Sequence, residues 1–234
     1  MCLAIAVIAL IAFQAIRIAM NAGKLSYKQV PYEQHPANAT LKVLFMGDST
    51  VVGTGTISNN ESTAGWFGQD FPSADIKNFS LNGRRIAGLI NDFKPSIGDH
   101  YNLIVIQIGA NDIMRFTSYK DIERDLSILI DRVKGLANHV VILHSGNVGL
   151  SPIFSWPFNS IFTQRSRDVR QIYLQKAKET GVLYVDLFQE REDDFFLKDI
   201  NKYYSVDHLH PSGAGYRWWY DNIRKTLTQS GVKL

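Results

Sequence analysis

A serine follows the first short apolar stretch in the body of the chain, in the sequence Gly47–Asp48–Ser49. A serine at a strand-to-helix turn presents its hydroxyl above the sheet edge, where it can act as a nucleophile. The amide groups that begin the next helix would stabilise a developing negative charge. Two other interpretations are open. The segment could be a plain helix cap, or the glycines of residues 53–55 could bind phosphate, although no Walker lysine follows them.

An acid and two histidines lie together near the end of the chain, in Asp207–His208–Leu209–His210–Pro211. On a single turn, Asp207 can orient the imidazole of His210, and the second ring nitrogen is then free to take a proton from a serine. We prefer His210 to His208 as the base because its spacing closes the pair with Asp207 and because it adjoins the proline. The alternative for the whole segment is another capped helix start.

Two further segments offer hydrogen-bond donors to the same crevice. Asn111, in Gly109–Ala110–Asn111–Asp112, follows the third predicted strand, and its side-chain amide can donate. Gly83 follows the second strand, and no side chain obstructs its backbone amide. With the amide of Ser49 these groups would form a three-donor oxyanion hole for acyl transfer.

In order along the chain, Gly-Asp-Ser, Gly, Gly-x-Asn-Asp and Asp-x-x-His-Pro resemble the four sequence blocks of the SGNH/GDSL hydrolase family, over about residues 41–228. The resemblance implies a serine esterase in which Ser49 is the nucleophile, Asp207 and His210 complete the triad, and Ser49, Gly83 and Asn111 form the oxyanion hole. It also implies a flavodoxin-like αβα sandwich with a five-stranded parallel sheet. The flanking sequence looks like that of bacterial members with a leading apolar segment. Thr50 departs from the Leu of many members, without a chemical role.

The elements that must position these residues alternate regularly. Apolar runs rich in Val and Ile predict strands, and the segments between them have helical spacing. This alternation predicts an α/β fold, a three-layer αβα sandwich with a parallel sheet, whose binding crevice lies at the carboxyl ends of the strands. A last helix is predicted from Pro211 to Leu227, with the proline at its first position. The predicted strands are residues 41–46, 74–79, 102–108, 139–144 and 182–187.

Composition limits the other classes of function. The net charge of +3 and the absence of any basic run argue against a nucleic-acid partner. Cys2 is the only cysteine, so an intrachain disulfide or a thiolate zinc site is impossible. The histidines outside the Asp207–His210 segment are scattered and suggest no metal cluster. The predicted mechanism requires neither a metal nor a cofactor.

The first residues are predicted to be a membrane segment. Residues 1–22 would form an anchor or signal, residues 23–40 a linker, and residues 41–234 the hydrolase domain. The stretch of residues 2–20 is apolar except for Gln14 and Arg17, and it can just cross a bilayer core. We expect a bacterial inner-membrane protein with a single N-terminal segment. A cleaved signal and a core helix are the alternatives. The basic residues after the segment favour a cytoplasmic domain only weakly.

The substrate is predicted to be a small-molecule or lipid ester. The apolar segment of residues 153–162 should hang over the crevice, where it would be a wall for an acyl chain, a surface that dips into a membrane, or a loop packed on the next helix. The first two interpretations favour a lipid-like ester or lysophospholipid. The alternatives are deacetylation of an envelope polysaccharide and a non-catalytic binding factor with the same fold. Arg84, Arg85 and Arg115 are predicted near the site, where they would either meet anionic groups or form solvated surface.

Overall fold

Short runs of Val, Ile and Leu form the strands of a parallel sheet, because such side chains pack well on a pleated surface that is covered on both sides. The computed structural model describes residues 13–14, 16–18, 20–21, 24–25 and 30–234. The strands are β1 (Leu41–Gly47), β2 (Ala74–Ser80), β3 (Tyr101–Gln107), β4 (Ala137–Leu143) and β5 (Leu183–Tyr184). They lie in the order β2-β1-β3-β4-β5, and each neighbouring pair is parallel.

Helices lie between the strands and after the last one. Short 3₁₀ turns cover residues 59–61, 148–150 and 196–198. The α-helices in the described part of the chain after residue 30 are α1 (Ser49–Val52), α2 (Thr63–Asp70), α3 (Ile86–Asp92), α4 (Ala110–Met114), α5 (Tyr119–Lys134), α6 (Phe158–Thr180), α7 (Ile200–Tyr203) and α8 (Gly213–Gln229).

Both faces of the sheet are buried, which makes three layers. Successive side chains of a strand point to opposite faces. In β1, Leu44 and Met46 join a core with residues of α3, α5 and α6. Val43 and Phe45 join a second core with residues of α2 and α8. The prediction of a three-layer αβα sandwich with a five-stranded parallel sheet is therefore confirmed.

The last strand and the last helix differ from their predicted bounds. The strand predicted at 182–187 is only two residues long, because the Asp186 side chain accepts the amide of Phe188 at 3.2 Å and turns the chain away from the sheet. Pro211 does not begin α8. It forms an isolated β-bridge with Tyr204, and Ser212 caps the helix by accepting the amide of Gly215 at 3.2 Å.

Part of the predicted linker lies against the sheet. Gln34 exchanges two backbone hydrogen bonds with Ile76 of β2, at 3.1 and 2.7 Å. The side-chain amide of Gln34 also donates to the carbonyls of Phe71 and Ala74. Because β2 is an edge strand, these contacts cover backbone groups that would otherwise be open to another chain.

The described residues between Phe13 and Asn21 are helical and contact the domain. Gln14 is 4% exposed and donates to the Ile153 carbonyl at 3.0 Å. Most of the predicted membrane segment, residues 2–12 together with 15 and 19, lies outside the described residues. Within the described parts of the chain, no helix combines the length and the hydrophobicity needed to span a bilayer. The membrane segment thus stays a prediction.

Candidate active site

Ser49 is the first residue of α1, directly after the carboxyl end of β1. Asp48 caps this short helix, and its Oδ1 atom accepts the Thr50 amide at 2.9 Å and the Thr50 hydroxyl at 2.8 Å. The helix-cap interpretation therefore applies to Asp48, which leaves the hydroxyl of Ser49 available. The turn presents Ser49 at the sheet edge where a ligand is expected to bind.

Asp207 and His210 lie on one tight turn before α8. The Oδ1 atom of Asp207 accepts the backbone amides of Leu209 and His210, each at 3.0 Å. Its Oδ2 atom lies 2.6 Å from Nδ1 of His210. The amide of Ser205 donates to the carbonyl of His210 at 2.9 Å and holds the base of the turn. The turn therefore fixes the orientation of the imidazole.

The same imidazole contacts the serine. Nε2 of His210 lies 3.0 Å from Oγ of Ser49. With Nδ1 bonded to the Asp207 carboxylate, Nε2 is positioned to accept the hydroxyl proton. The arrangement is that of a nucleophile, a base and a group that orients the base, which suits acyl transfer.

Two buried carboxyl groups near the serine have opposite pKa shifts. Burial opposes ionisation of Asp207, but the hydrogen bonds and the charge of His210, together with the amide of Leu209, outweigh it and lower the pKa. Burial dominates at Asp48 and raises its pKa to about 6, against the hydrogen bonds from Thr50 and the charge of His210. Asp207 is therefore ionised at neutral pH and suited to stabilise an imidazolium.

The predicted oxyanion-hole residues follow three adjacent strands. Because β1 lies between β2 and β3, the turns that carry Ser49, Gly83 and Asn111 are neighbours at one sheet edge. The carboxylate of Asp112 accepts the Ile86 amide at 3.1 Å and ties the turn of Asn111 to the start of α3. In the described part of the chain, no hydrogen bond is formed by the backbone amides of Ser49 and Gly83.

The other candidates from the sequence have different surroundings. His208 has a left-handed backbone, with φ of 59°, and Ser49 is contacted by His210 instead. Arg84 is bound to Asp92 and to the Phe79 carbonyl. Arg115 is exposed, and its Nη2 atom would lie 3.3 Å from a Cβ built on Gly83. In the residues that the structure describes, no group of three or more His, Cys, Asp or Glu side chains could hold a metal ion.

A cavity of about 60 Å³ lies beside Ser49 and His210. The loops after β4 and β5 and the first turns of α8 form most of its wall. Much of this wall is apolar. The apolar side chains include Val148, Leu187, Phe196, Leu209, Trp218 and Trp219.

The apolar segment of residues 153–162 does not line this cavity. Ile153, Phe154 and Phe162 are buried in the core that contains α5 and α6, and the rings of Phe154 and Phe162 lie 4.8 Å apart. Trp156, which is 73% exposed, and Ile161, which is 38% exposed, are the exceptions. Of the three interpretations offered for this segment, packing onto the following helix describes most of it.

Ser145 and Asn147 are among the cavity residues that were not identified from the sequence. They follow β4 directly and line the cavity with Ser49 and His210. The signal was available, because polar residues that follow a strand of a parallel sheet lie at the ligand-binding edge.

Residues 45–218 match the sequence model of the family described as GDSL-like Lipase/Acylhydrolase. The comparison with curated proteins found no match.

Three solved structures illustrate the shared fold. TesA is 18% identical over 80% of this chain and 98% of its own, with a TM-score of 0.61. Axe2, an acetylxylan esterase from Geobacillus stearothermophilus, is 20% identical over 84% and 98%, with a TM-score of 0.56. A member of the lipolytic protein G-D-S-L family from Veillonella parvula is 16% identical over 80% and 98%, with a TM-score of 0.64. At these identities the likeness establishes a shared fold.

Proposed function

Because this chain belongs to the GDSL-like lipase/acylhydrolase family, we propose that it hydrolyses carboxylic esters through an acyl-enzyme on Ser49. His210 acts as the base, and Asp207 orients it. The observation that carries the proposal is the continuous contact from Asp207 through His210 to Ser49, at 2.6 and 3.0 Å.

In the first half of the reaction, Oγ of Ser49 attacks the ester carbonyl carbon while Nε2 of His210 takes the hydroxyl proton. The carbonyl oxygen becomes an oxyanion, which the amides of Ser49 and Gly83 and the side chain of Asn111 stabilise. Collapse of the intermediate breaks the bond to the alcohol oxygen, and His210 returns the proton to that oxygen. The alcohol leaves and the acyl group stays on Ser49.

In the second half, His210 removes a proton from water, which attacks the acyl carbon. The second oxyanion collapses, the bond to Oγ breaks, and the proton returns to Ser49. The products are the acid and the alcohol. Throughout, Asp207 stays ionised and stabilises the imidazolium form of His210.

The cavity supports a short acyl group as substrate. One water molecule needs roughly 10–15 Å³ of cavity volume. The cavity beside Ser49 has about 60 Å³, which suits an acyl group of about two to four carbons. This favours the alternative predicted from the sequence, removal of a group such as acetyl, over a lipid-like ester or lysophospholipid. The burial of Ile153, Phe154 and Phe162 supports the same choice, because these side chains are not available to a long acyl chain.

Ser49→Ala tests the mechanism. The purified variant should show no turnover of p-nitrophenyl acetate, with an unchanged circular dichroism spectrum. A fluorophosphonate should phosphonylate Oγ of Ser49 in the wild type, with loss of fluoride, and should not label Ser49→Ala. Ser73→Ala, at an exposed serine before β2, should keep both the turnover of p-nitrophenyl acetate and the labelling of Ser49. More than trace activity in folded Ser49→Ala would remove this serine from the mechanism. Absence of both turnover and labelling in the wild type would favour a non-catalytic binding factor.

Acyl length is tested with p-nitrophenyl esters of two, four, eight and sixteen carbons. We expect kcat/KM to be highest at two to four carbons and to fall steeply beyond, because a longer chain exceeds the cavity. Release of acetate from an acetylated polysaccharide would extend the result to a natural leaving group. The opposite order of chain lengths would support the lipid-like ester.

We propose separately that residues 2–20 hold the protein at a membrane. The support is the uncharged run from Leu3 to Phe13 and the exposure of Phe13, Ile16 and Met20, which share one side of a helix. Membranes from cells that express the full chain should retain it after a high-salt wash, and a chain lacking residues 2–20 should stay in the supernatant. Equal distribution of the two chains would contradict membrane attachment.

A further inference from the structure

The side chain of Asn111, the proposed oxyanion donor, is not held by hydrogen bonds of its own. It is 7% exposed, and its amide forms no hydrogen bond with any residue that the structure describes. Such an amide is free to donate to an oxyanion, but its position depends on the backbone that carries it. A misplacement of about 1 Å can cost on the order of 100-fold in rate. The groups that fix this backbone therefore bear on the reaction.

The turn between β3 and Asn111 is held by a tyrosine of α6. Tyr173 is fully buried, and its hydroxyl donates to the backbone carbonyl of Ile108 at 2.8 Å. Among the side chains in the described ranges, only that of Tyr173 forms a hydrogen bond with residues 108–111. Burial raises the pKa of Tyr173 well above its usual range, so the hydroxyl remains a donor even in alkaline solution.

Gly109 allows this approach and makes the turn depend on it. Its φ is 121°, a conformation that favours glycine. A Cβ at Gly109 would lie 3.0 Å from the hydroxyl oxygen of Tyr173, so a larger residue would crowd the hydrogen bond. Glycine also restricts the adjoining peptide less than other residues do. Without the hydroxyl, the buried Ile108 carbonyl would lose its donor, and this peptide could rotate towards another.

The ring of Tyr173 is itself fixed by packing. The ring of His144, directly after β4, meets it edge to face with centroids 5.4 Å apart. The ring of Tyr184, at the end of β5, lies at 6.0 Å. Burial lowers the pKa of His144 to about 4, so this neighbour is uncharged at neutral pH. The Tyr173 hydroxyl is therefore held in place relative to the sheet.

The backbone on the other side of Asn111 is tied to the turn that carries Gly83. Asp112 is 1% exposed, and its carboxylate accepts the Ile86 amide at 3.1 Å. Asn111 thus lies between two fixed points, the Ile108 carbonyl and the Asp112 side chain. Of these, the Ile108 carbonyl is fixed by a residue from a distant part of the chain.

We propose that Tyr173 is a positioning residue of the esterase, which sets the place of the Asn111 amide through the Ile108 carbonyl. Tyr173 does not touch the substrate, because it is fully buried and is not part of the cavity wall. The inference rests on the proposed function, in which Asn111 stabilises the oxyanion. Loss of the hydroxyl should weaken transition-state stabilisation and leave substrate binding in the ground state unchanged.

Tyr173→Phe removes the hydroxyl alone. With p-nitrophenyl acetate, kcat should fall by about 5- to 50-fold and KM should change by less than about twofold, because the amide donor is displaced but still present. In the Asn111→Asp background, the same substitution should change kcat by less than about twofold, since no amide donor remains to be positioned. We would express kcat per Ser49 that reacts with a fluorophosphonate, so that a loss of folded protein is not counted as a loss of rate.

Tyr220→Phe is the matched control. Tyr220 is also fully buried, and its hydroxyl donates to Oδ2 of Asp70 at 2.8 Å, in the core on the other face of the sheet. This variant loses a comparable hydrogen bond far from Asn111. It should keep the wild-type kcat per reactive Ser49, whatever happens to its Tm.

An unchanged kcat per reactive Ser49 in Tyr173→Phe would overturn the proposal. The same factor of loss in the wild-type and Asn111→Asp backgrounds would also overturn it, because a purely structural residue acts independently of Asn111. A crystal structure of Tyr173→Phe needs no turnover: the Asn111 amide should be displaced relative to Oγ of Ser49 or occupy several positions, and an unmoved amide would contradict the proposal. Failure of the proposed function is seen separately, as turnover by Ser49→Ala or as an unchanged kcat in Asn111→Asp.

Discussion

Nε2 of His210 lies 3.0 Å from Oγ of Ser49, and Nδ1 of the same ring lies 2.6 Å from Oδ2 of Asp207. The two contacts use the two ring nitrogens, so the Asp207 bond sets which nitrogen carries the proton and which one faces the serine. The ability of the ring to accept a proton from Ser49 therefore depends on a carboxylate that does not touch the substrate.

Asp207→Asn should lower kcat by about 1,000- to 10,000-fold, because the amide can neither fix the tautomer nor stabilise the imidazolium. The measurement is steady-state hydrolysis of p-nitrophenyl acetate. His208→Asn is the control, since asparagine tolerates the left-handed backbone of that position, and it should keep near wild-type activity. A large loss of kcat in His208→Asn, together with little loss in Asp207→Asn, would contradict the assignment of Asp207 and His210 to the triad.

Asn111→Asp should lower kcat by about 100- to 1,000-fold with little change in KM, because an oxyanion-hole donor acts mainly in the transition state. The aspartate has nearly the same shape but no amide donor. Asn102, at the other end of β3, accepts the Lys42 amide at 2.8 Å, and Asn102→Ala should leave kcat unchanged. A rise in KM alone would indicate that Asn111 contributes to ground-state binding.

Asp48→Asn should change how stability depends on pH. The carboxyl ionises near pH 3.8 when unperturbed and near pH 6 in the folded protein, because burial disfavours its charge. Between these values, rising pH favours the unfolded chain, so the wild type loses stability through this group, by up to roughly 3 kcal/mol. Asparagine does not titrate and can still cap α1.

Urea unfolding of both proteins at pH 4, 5, 6 and 7 checks this prediction. The variant should gain stability relative to the wild type as the pH rises through this window. A difference in unfolding free energy that stays constant with pH would show that the folded-state pKa of Asp48 is not raised.

Gly47→Ala should destabilise the fold severely. A Cβ on Gly47 would lie 1.8 Å from the Gln107 backbone oxygen, and φ at this position is 154°. Backbone atoms of β1 and β3 would have to separate, directly before Ser49. We expect loss of soluble protein or a marked fall in Tm. Gly135→Ala is the matched control, because no atom lies within 4 Å of its Cβ and its φ of −80° suits alanine.

Much of the fold could be predicted from the sequence, because strand and helix periodicity is local information. The helix α5 follows the spacing of Ile122, Leu126, Leu129, Ile130 and Val133, which are all buried. Bounds that depend on side-chain competition could not be predicted in this way. Asp186 ends β5 by accepting a backbone amide, and Ser212 caps α8 in place of the predicted start at Pro211.

The candidate site shows the same difference between what local sequence predicts and what it does not. The types and order of Ser49, Gly83, Asn111, Asp207 and His210 were evident in the chain, because each needs only its own short motif and its place after a strand. The match over residues 45–218 shows the family of the chain. The catalytic roles of these residues are our proposal.

The sequence by itself determined which side chains can take part in catalysis and that the fold is a layered α/β architecture. Both follow from residue types at short, regular spacings. Only the tertiary structure decided which surfaces surround Ser49. It buried Ile153, Phe154 and Phe162 in the core and placed Ser145 and Asn147 in the cavity wall. The physical reason is that a cavity is bounded by segments distant in the chain, whose packing depends on volumes and contacts that no local pattern encodes.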